Sequence, residues 1–412
     1  MNIALPAVTV ALSAAVSIGV LAGIAQAQPQ YDFILVDSSN ANPLAGEARL
    51  WDINDLGMAC GVATIDNVIG YPGFVWDEIV GNTRVPVASP QSLNNFGLIV
   101  GIGTIYDLTT DQSFSPPNLP GTYRSPIFGG VNDAGVAVGS ISGCSCEDSG
   151  GVTYVPYIWD AVNGAYSVSV PNARGLSRIN NAGVAIGWLN GWVLNDAFFV
   201  DVATGAYTLL NDVFASDFGF GPTRAFDIND SGAIVGTRFG TSPVHTYGYV
   251  YSPSAGPQIL PFPGTGYRQY VRPFGINNAG TIVGEIMTAQ ASARAFVYSA
   301  ANGIHNLNDA SIVAGIPTGY IMATAQKINE PGWIAGNGRT AAGKNTGYVL
   351  KPRSNGCPAD FNDSGTTDVP DIFAFLSLWF VNDPRADFDG SGLPVAVPDI
   401  FAFLAAWFVG CP

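Results

Sequence analysis

One alternation of apolar, polar and glycine positions recurs along most of this chain. Seven segments share an apolar residue, Asn, two variable residues, Gly, three variable residues and Gly. They are INDLGMACG from Ile53, LNNFGLIVG from Leu93, VNDAGVAVG from Val131, INNAGVAIG from Ile179, INDSGAIVG from Ile228, INNAGTIVG from Ile276 and INEPGWIAG from Ile328. Successive starts differ by 40, 38, 48, 49, 48 and 52 residues, so length varies in the links while the unit is kept. Asn, two turn residues and Gly predict a tight hairpin in which Gly supplies the positive φ. The apolar run that follows predicts a buried strand, and the second Gly lets a neighbouring strand come close.

A second hairpin follows in most units. Gly73–Trp76 precedes Arg84–Val87, and Tyr157–Trp159 precedes Tyr166–Val168. Ala197–Val200 leads to Tyr207–Leu210, Gly248–Tyr251 to Gln258–Leu260, and Ala295–Tyr298 to Ile304–Leu307. Two hairpins make four strands, which is one propeller blade. The last unit has Gly347–Leu350 with no fourth strand after it, and the first is preceded by an orphan strand, Tyr31–Val36. The expectation is therefore an all-β, seven-bladed β-propeller over residues 28–352, closed by the N-terminal strand so that no edge is left exposed. The alternative is an open β-solenoid, for which the period is long. DAFFVD, RAFVYS and INNAGTIVGE resemble the HAF-type extracellular repeats of bacterial exported proteins, and the resemblance covers roughly residues 31–351. Asp196 and Arg294 stand where that family has its His. The resemblance implies architecture and an exported setting, without an activity.

After Lys351 the pattern changes. The octet VPDIFAFL occurs at Val369–Leu376 and at Val397–Leu404, 28 positions apart (397 − 369), each copy behind an Asp/Gly/Ser-rich run. In both helices an apolar stripe falls at i, i+3, i+4 and i+7: Ile372, Phe375, Leu376 and Trp379, then Ile400, Phe403, Leu404 and Trp407. The stripes predict mutual packing. Phe373, Phe380, Phe401 and Phe408 lie off them and are expected to form a partner-binding face. Each preceding run has the oxygen spacing of a calcium loop. The first offers Asp360, Asn362, Ser364, the Thr366 carbonyl, Asp368 and Asp371, with Gly365 at the turn. The second offers Asp387, Asp389, Ser391, the Leu393 carbonyl and Asp399, the last one residue later than in the first loop. Cys357 and Cys411 bracket this module, residues 353–412, and are expected to pair; closing such a loop contributes about 4 kcal/mol in the chain-entropy picture. The tandem loop–helix arrangement resembles a type I dockerin, in the variant bounded by Cys and ending near Gly410-Cys411. That resemblance implies calcium in both loops, attachment to a cohesin-type partner, and a pseudo-twofold module in which either helix can meet it.

Composition sharpens the setting. The first 27 residues are apolar, carry no charged side chain and end in Ala25-Gln26-Ala27, a small-x-small exit expected of a signal peptide. No later stretch approaches the ~20 apolar residues of a membrane span. A secreted, cell-surface-associated protein follows, for which disulfides are permitted. Charged residues are 11% of the chain, with 16 basic against 31 acidic, so there is no basic surface to replace counterions on nucleic acid. His245 and His305 are the only histidines, which disfavours a Ser-His-Asp triad or a multi-histidine metal site. Glu47, Glu78, Glu147, Glu285 and Glu330 fall at unrelated positions of the repeat, and no sialidase-type S-x-D-x-G-x-x-W box occurs. Tyr106, Tyr123, Tyr154, Tyr267 and Tyr270 in the linkers are candidates for stacking on sugars. The expected role is non-catalytic binding of a glycan or protein, or display. The alternatives are a polysaccharide-degrading enzyme, which needs two converging carboxylates, and a purely structural surface protein.

Overall fold

A computed structural model describes residues 30–36, 47–63, 72–122, 124–144, 152–189, 196–214, 221–239, 245–353, 359–362, 367–383, 386–389, 391 and 394–410. The signal segment, Tyr123, Glu147, Cys146, Cys357, Ser364, Gly365, Thr366, Leu393 and Cys411 lie outside the described residues.

The repeated region is built of antiparallel four-stranded units. The first comprises Ala48–Ile53, Ala59–Ala63, Pro72–Asp77 and Gly81–Ala88 in sequence order, and the later units follow the same order. Two of them, spanning residues 223–259 and 267–306, are joined by one parallel pair, Thr246 with Tyr270. In the last unit the N-terminal strand Tyr31–Val36 takes the fourth place, antiparallel to Asn345–Pro352 from Tyr31 opposite Pro352 to Val36 opposite Gly347. The parallel strand Val313–Ala314 lies on its far side.

The Gly of each Asn-x-x-Gly turn has positive φ, from 76° at Gly135 to 86° at Gly332, as the hairpin requires. The second Gly of the motif has a different cause. It faces an aromatic residue of the third strand: Gly61 opposite Phe74, Gly139 opposite Tyr157, Gly187 opposite Phe198, Gly236 opposite Tyr249, Gly284 opposite Phe296 and Gly336 opposite Tyr348. All six rings are buried. A Cβ at Gly284 would meet the Phe296 ring at 2.8 Å and collide with the Arg272 carbonyl oxygen of the first strand. Glycine and aromatic are thus two halves of one packing device. The second unit, with Ile105 after Gly101, lacks it and has strands of only two or three residues.

The core is distributed as clusters shared between neighbouring units. Leu50, Ile53, Phe74 and Trp76 of the first unit, for example, pack with Ala335 and Val349 of the last. Beyond the repeats, helix α1 (Leu210–Val213) is a single turn, and helices α2 (Val369–Phe380) and α3 (Val397–Val409) carry the twin octets. Among the described residues, no helix is long and apolar enough to cross a membrane.

Candidate functional sites: an axial circuit and two acidic loops

The seven repeat asparagines do more than turn the chain. Each is buried, and its Oδ1 accepts the N–H four residues on, as from Val184 to Asn180 at 2.8 Å. Each Nδ2 donates to the main-chain carbonyl of the next repeat's Asn: Asn54 to Asn94, Asn94 to Asn132, Asn132 to Asn180, Asn180 to Asn229, Asn229 to Asn277 and Asn277 to Asn329, at 2.9–3.2 Å. Asn329 then donates to Asn54 at 2.8 Å, which returns the circuit to its start. An amide can accept on one side and donate on the other, which the ionised carboxylate of an Asp at the same turn position cannot.

The next residue forms a parallel circuit of carboxylates and amides: Asp55, Asn95, Asp133, Asn181, Asp230, Asn278 and Glu330. Each backbone N–H donates to the following side chain, from Asp55 to Asn95 at 2.8 Å round to Glu330 N–H on Asp55 Oδ1 at 2.9 Å. Asn95 and Asn181 also donate from Nδ2 to the acids on both sides. Seven members cannot alternate perfectly, and the misfit falls where Glu330 meets Asp55. Burial raises the Asp55 carboxyl above its ordinary range. Desolvation, with Asp55 and Asp230 adding to it, pushes Glu330 up to about 7 against the opposing pull of the Asn278 N–H and Lys327.

Inside these two circuits lies a polar cavity of about 130 Å³. The residue two before the Asn borders it in six of the seven repeats: Asp52, Ser92, Gly130, Arg178, Asp227 and Lys327. A bulge lies immediately before that residue in six of the seven inner strands and re-aims it. Lys327 Nζ binds both oxygens of Asp227 at 2.6 Å across the intervening repeat, where Gly275 leaves room: a Cβ there would meet the Lys327 Cα at 3.0 Å. Arg178 donates to the Gly129 and Gln91 carbonyls. The volume of the cavity lies below the ~300 Å³ where ligand pockets begin.

The linker aromatics are largely committed elsewhere. Tyr106 is a buried strand residue whose hydroxyl donates to Asp111 at 2.8 Å, so it is no linker platform. Tyr267 accepts from Asn306, and Tyr270 bridges Glu285 and Arg272. Tyr154 is part of the strand Val152–Asp160. His305 Nε2 is bonded to the Asn302 carbonyl, and His245 packs edge-on to Tyr247. Cys60 is a free, buried thiol that burial pushes well above the ordinary range.

In the C-terminal module the two stripes pack as their spacing predicts. Phe375 and Phe403 stack at 4.4 Å with planes 5° apart, and Phe361 and Phe388 meet both rings edge-on. Phe373, Phe380, Phe401 and Phe408 are 68%, 74%, 67% and 78% exposed, and Phe380 and Phe408 lie edge-on to Trp379 and Trp407. The terminal acids are fully buried at equivalent places. Asp371 accepts N–H groups from Asn362 at 3.0 Å and Asp368 at 2.8 Å; Asp399 accepts from Asp389 at 3.1 Å and Ala396 at 2.8 Å. The extra residue of the second loop is absorbed before Ala396 and does not displace Asp399. Burial raises the Asp371 carboxyl, whereas the Ala396 N–H leads in holding Asp399 below the usual carboxylate range.

Asp387, Asp389 and Asp399 each offer an oxygen within 4.8 Å of the others. One cation with 2.3–2.6 Å bonds spans such a gap, and an all-oxygen donor set is the one calcium takes. The residues fit that ion. Ser391 is exposed and donates its N–H to Asp389. In the first loop Asp360 is buried, while Asp368 is exposed at the start of α2.

No family model matches the chain, and no curated protein matches it. Among solved structures it is similar to the β-propeller domain of the Trilobed protease from Pyrococcus furiosus, at 14% identity over 64% of this chain and 84% of that one, with a TM-score of 0.44. It is similar to an acylaminoacyl peptidase at 11% identity over 74% of this chain and 52% of that one, with a TM-score of 0.49. A putative TolB from Agrobacterium tumefaciens matches at 11% identity over 78% of this chain and 97% of that one, with a TM-score of 0.39. The chain spans about half the length of the peptidase.

Proposed function

We propose that this chain is a secreted binding or display protein: a seven-bladed β-propeller closed by its N-terminal strand, carried to the cell surface or an extracellular complex by a calcium-binding, dockerin-like C-terminal module. The two side-chain circuits, each passing once through all seven repeats, support the ring reading, and so does the pairing of Tyr31–Val36 with the last unit. The observation that carries the functional reading is the duplicated tail. Two buried terminal acids sit at matched places, with four phenylalanines exposed outside the core that the helices share. Calcium would be held by Asp360, Asn362, Ser364, Thr366, Asp368 and Asp371 in the first loop and by Asp387, Asp389, Ser391, Leu393 and Asp399 in the second. It would neutralise acids that the fold has removed from water. The exposed phenylalanines would then meet a cohesin-like or other surface protein.

A catalytic role finds no support in the axial site. The acids at its mouth, Asp55, Asp133, Asp230 and Glu330, are each bonded to neighbouring repeats. The test is retention of the intact protein on its own cell envelope with and without a calcium chelator, alongside a Phe380→Ser/Phe408→Ser variant. Release by chelator and failure of the variant to bind support attachment through the tail. Retention in both cases overturns it.

A further inference from the structure

The two loops of the tail are tied to each other's helices. The indole Nε1 of Trp379, near the end of α2, donates to the carbonyl of Ala396 at 3.1 Å. The indole Nε1 of Trp407, near the end of α3, donates to the carbonyl of Asp368 at 2.9 Å. Ala396 and Asp368 are the residues that open α3 and α2. Their N–H groups are the ones that the buried acids Asp399 and Asp371 accept. Each of these two residues is therefore held by the terminal acid of its own loop, through its N–H and through its carbonyl, which accepts that acid's backbone N–H at 3.1 Å, and by the tryptophan of the opposite helix through the same carbonyl.

We infer that Trp379 and Trp407 are crossed positioning residues: each fixes the exit of the other unit's loop, and through it the terminal acid that the loop presents to a cation. The inference rests on the calcium reading only for its effect on affinity; the crossed restraint belongs to the chain itself. If Trp379 loses its indole N–H, the Ala396 carbonyl loses an anchor, and Asp399 is left with a looser N–H to lean on. The first loop, whose anchor is Trp407, keeps its geometry. The predicted signature is thus an effect in the loop that does not precede the mutated helix. A residue that merely packed the core between α2 and α3 would affect both loops alike.

The experiment uses the full chain carrying Trp379→Phe or Trp407→Phe, each keeping an aromatic ring in place. Amide exchange without any metal is the first readout. Trp379→Phe should speed exchange at Ala396 and leave Asp368 unchanged, and Trp407→Phe should do the converse. Calcium titration is the second, in backgrounds with one live loop. With Asp371→Asn, Trp379→Phe should weaken the remaining site about two- to tenfold, the worth of a typical hydrogen bond, and Trp407→Phe should change it less than about twofold. With Asp399→Asn the order should reverse. Equal effects on both loops, or effects confined to the loop preceding the mutated helix, overturn the inference. Crossed exchange without calcium uptake by the unmutated protein would uphold the restraint and overturn the calcium reading alone.

Discussion

Replacing Asn180 by Asp separates a turn-forming asparagine from one that links repeats. Asp is as good a turn former as Asn, and the new carboxylate would still offer an acceptor to the Val184 N–H, now 2.8 Å from Oδ1. What disappears is the Nδ2 donor to the Asn229 carbonyl at 2.9 Å, replaced by an oxygen at a site only 4% exposed. The Asn229 carbonyl still receives the Gly232 N–H, so it is not orphaned. The cost is one lost hydrogen bond, about 1 kcal/mol, plus a poorly solvated carboxylate facing a carbonyl, about 1–3 kcal/mol more. Asn180→Asp should therefore cost about 2–4 kcal/mol at pH 7, seen as a lower urea midpoint at unchanged slope. The loss should shrink in acid, because a protonated carboxyl can donate to Asn229. Asn180→Ala should cost a similar amount at every pH, since it strands the Val184 N–H. A change below about 0.5 kcal/mol for Asn180→Asp at pH 7 would reduce the asparagine to a turn residue and refute the linking role.

Other consequences can be checked separately. Glu330 has a folded pKa raised to about 7, so its favourable contribution is complete below its unfolded value, declines as pH rises toward 7 and is lost above it. Glu330→Gln should therefore stabilise the protein at pH 8 relative to the unmutated chain, by less than about 1 kcal/mol because the residue keeps solvent access, and give no gain at pH 4; a gain at pH 4 instead would reverse the sign. Asn337 pairs with both the N–H and the carbonyl of Leu50 at 2.8 and 2.9 Å, across the junction of the last and first repeats. Asn337→Ala should cost about 2 kcal/mol and raise amide exchange at Leu50 first, an order that exchange mass spectrometry can read. Phe380→Ser with Phe408→Ser should leave the stability within about 0.5 kcal/mol, since both rings are largely exposed; a larger loss would mean that they serve the fold.

Much of the fold was legible in the repeat. Asn-x-x-Gly announced the hairpins, the orphan Tyr31–Val36 announced its pairing with the last unit, and the i, i+3, i+4 stripes announced how α2 and α3 meet. The axial circuits were not read, because hairpin logic ends within one repeat and their bonds run between repeats. Their signal was nonetheless present: Asn at all seven places where Asp would turn the chain as well, and a mixture of acids and amides at the next position. The charged pair of the cavity was missed for a related reason. Asp227 and Lys327 are 100 residues apart, and the spacing that joins them is angular. Tyr106 was misplaced because the second unit lacks the glycine–aromatic pair that marks the third strand elsewhere. In the tail, the stripes placed α2 against α3, while the tryptophan-to-carbonyl ties depend on how the packed helices meet each other's first residues.

Calcium uptake by the intact chain tests the account most directly. Calorimetric titration of metal-free protein should show saturable binding that loses the first-loop site in Asp371→Ala and the second-loop site in Asp399→Ala, and that vanishes when both are changed. Absence of binding by the unmutated protein, or binding that survives the double substitution, would contradict it.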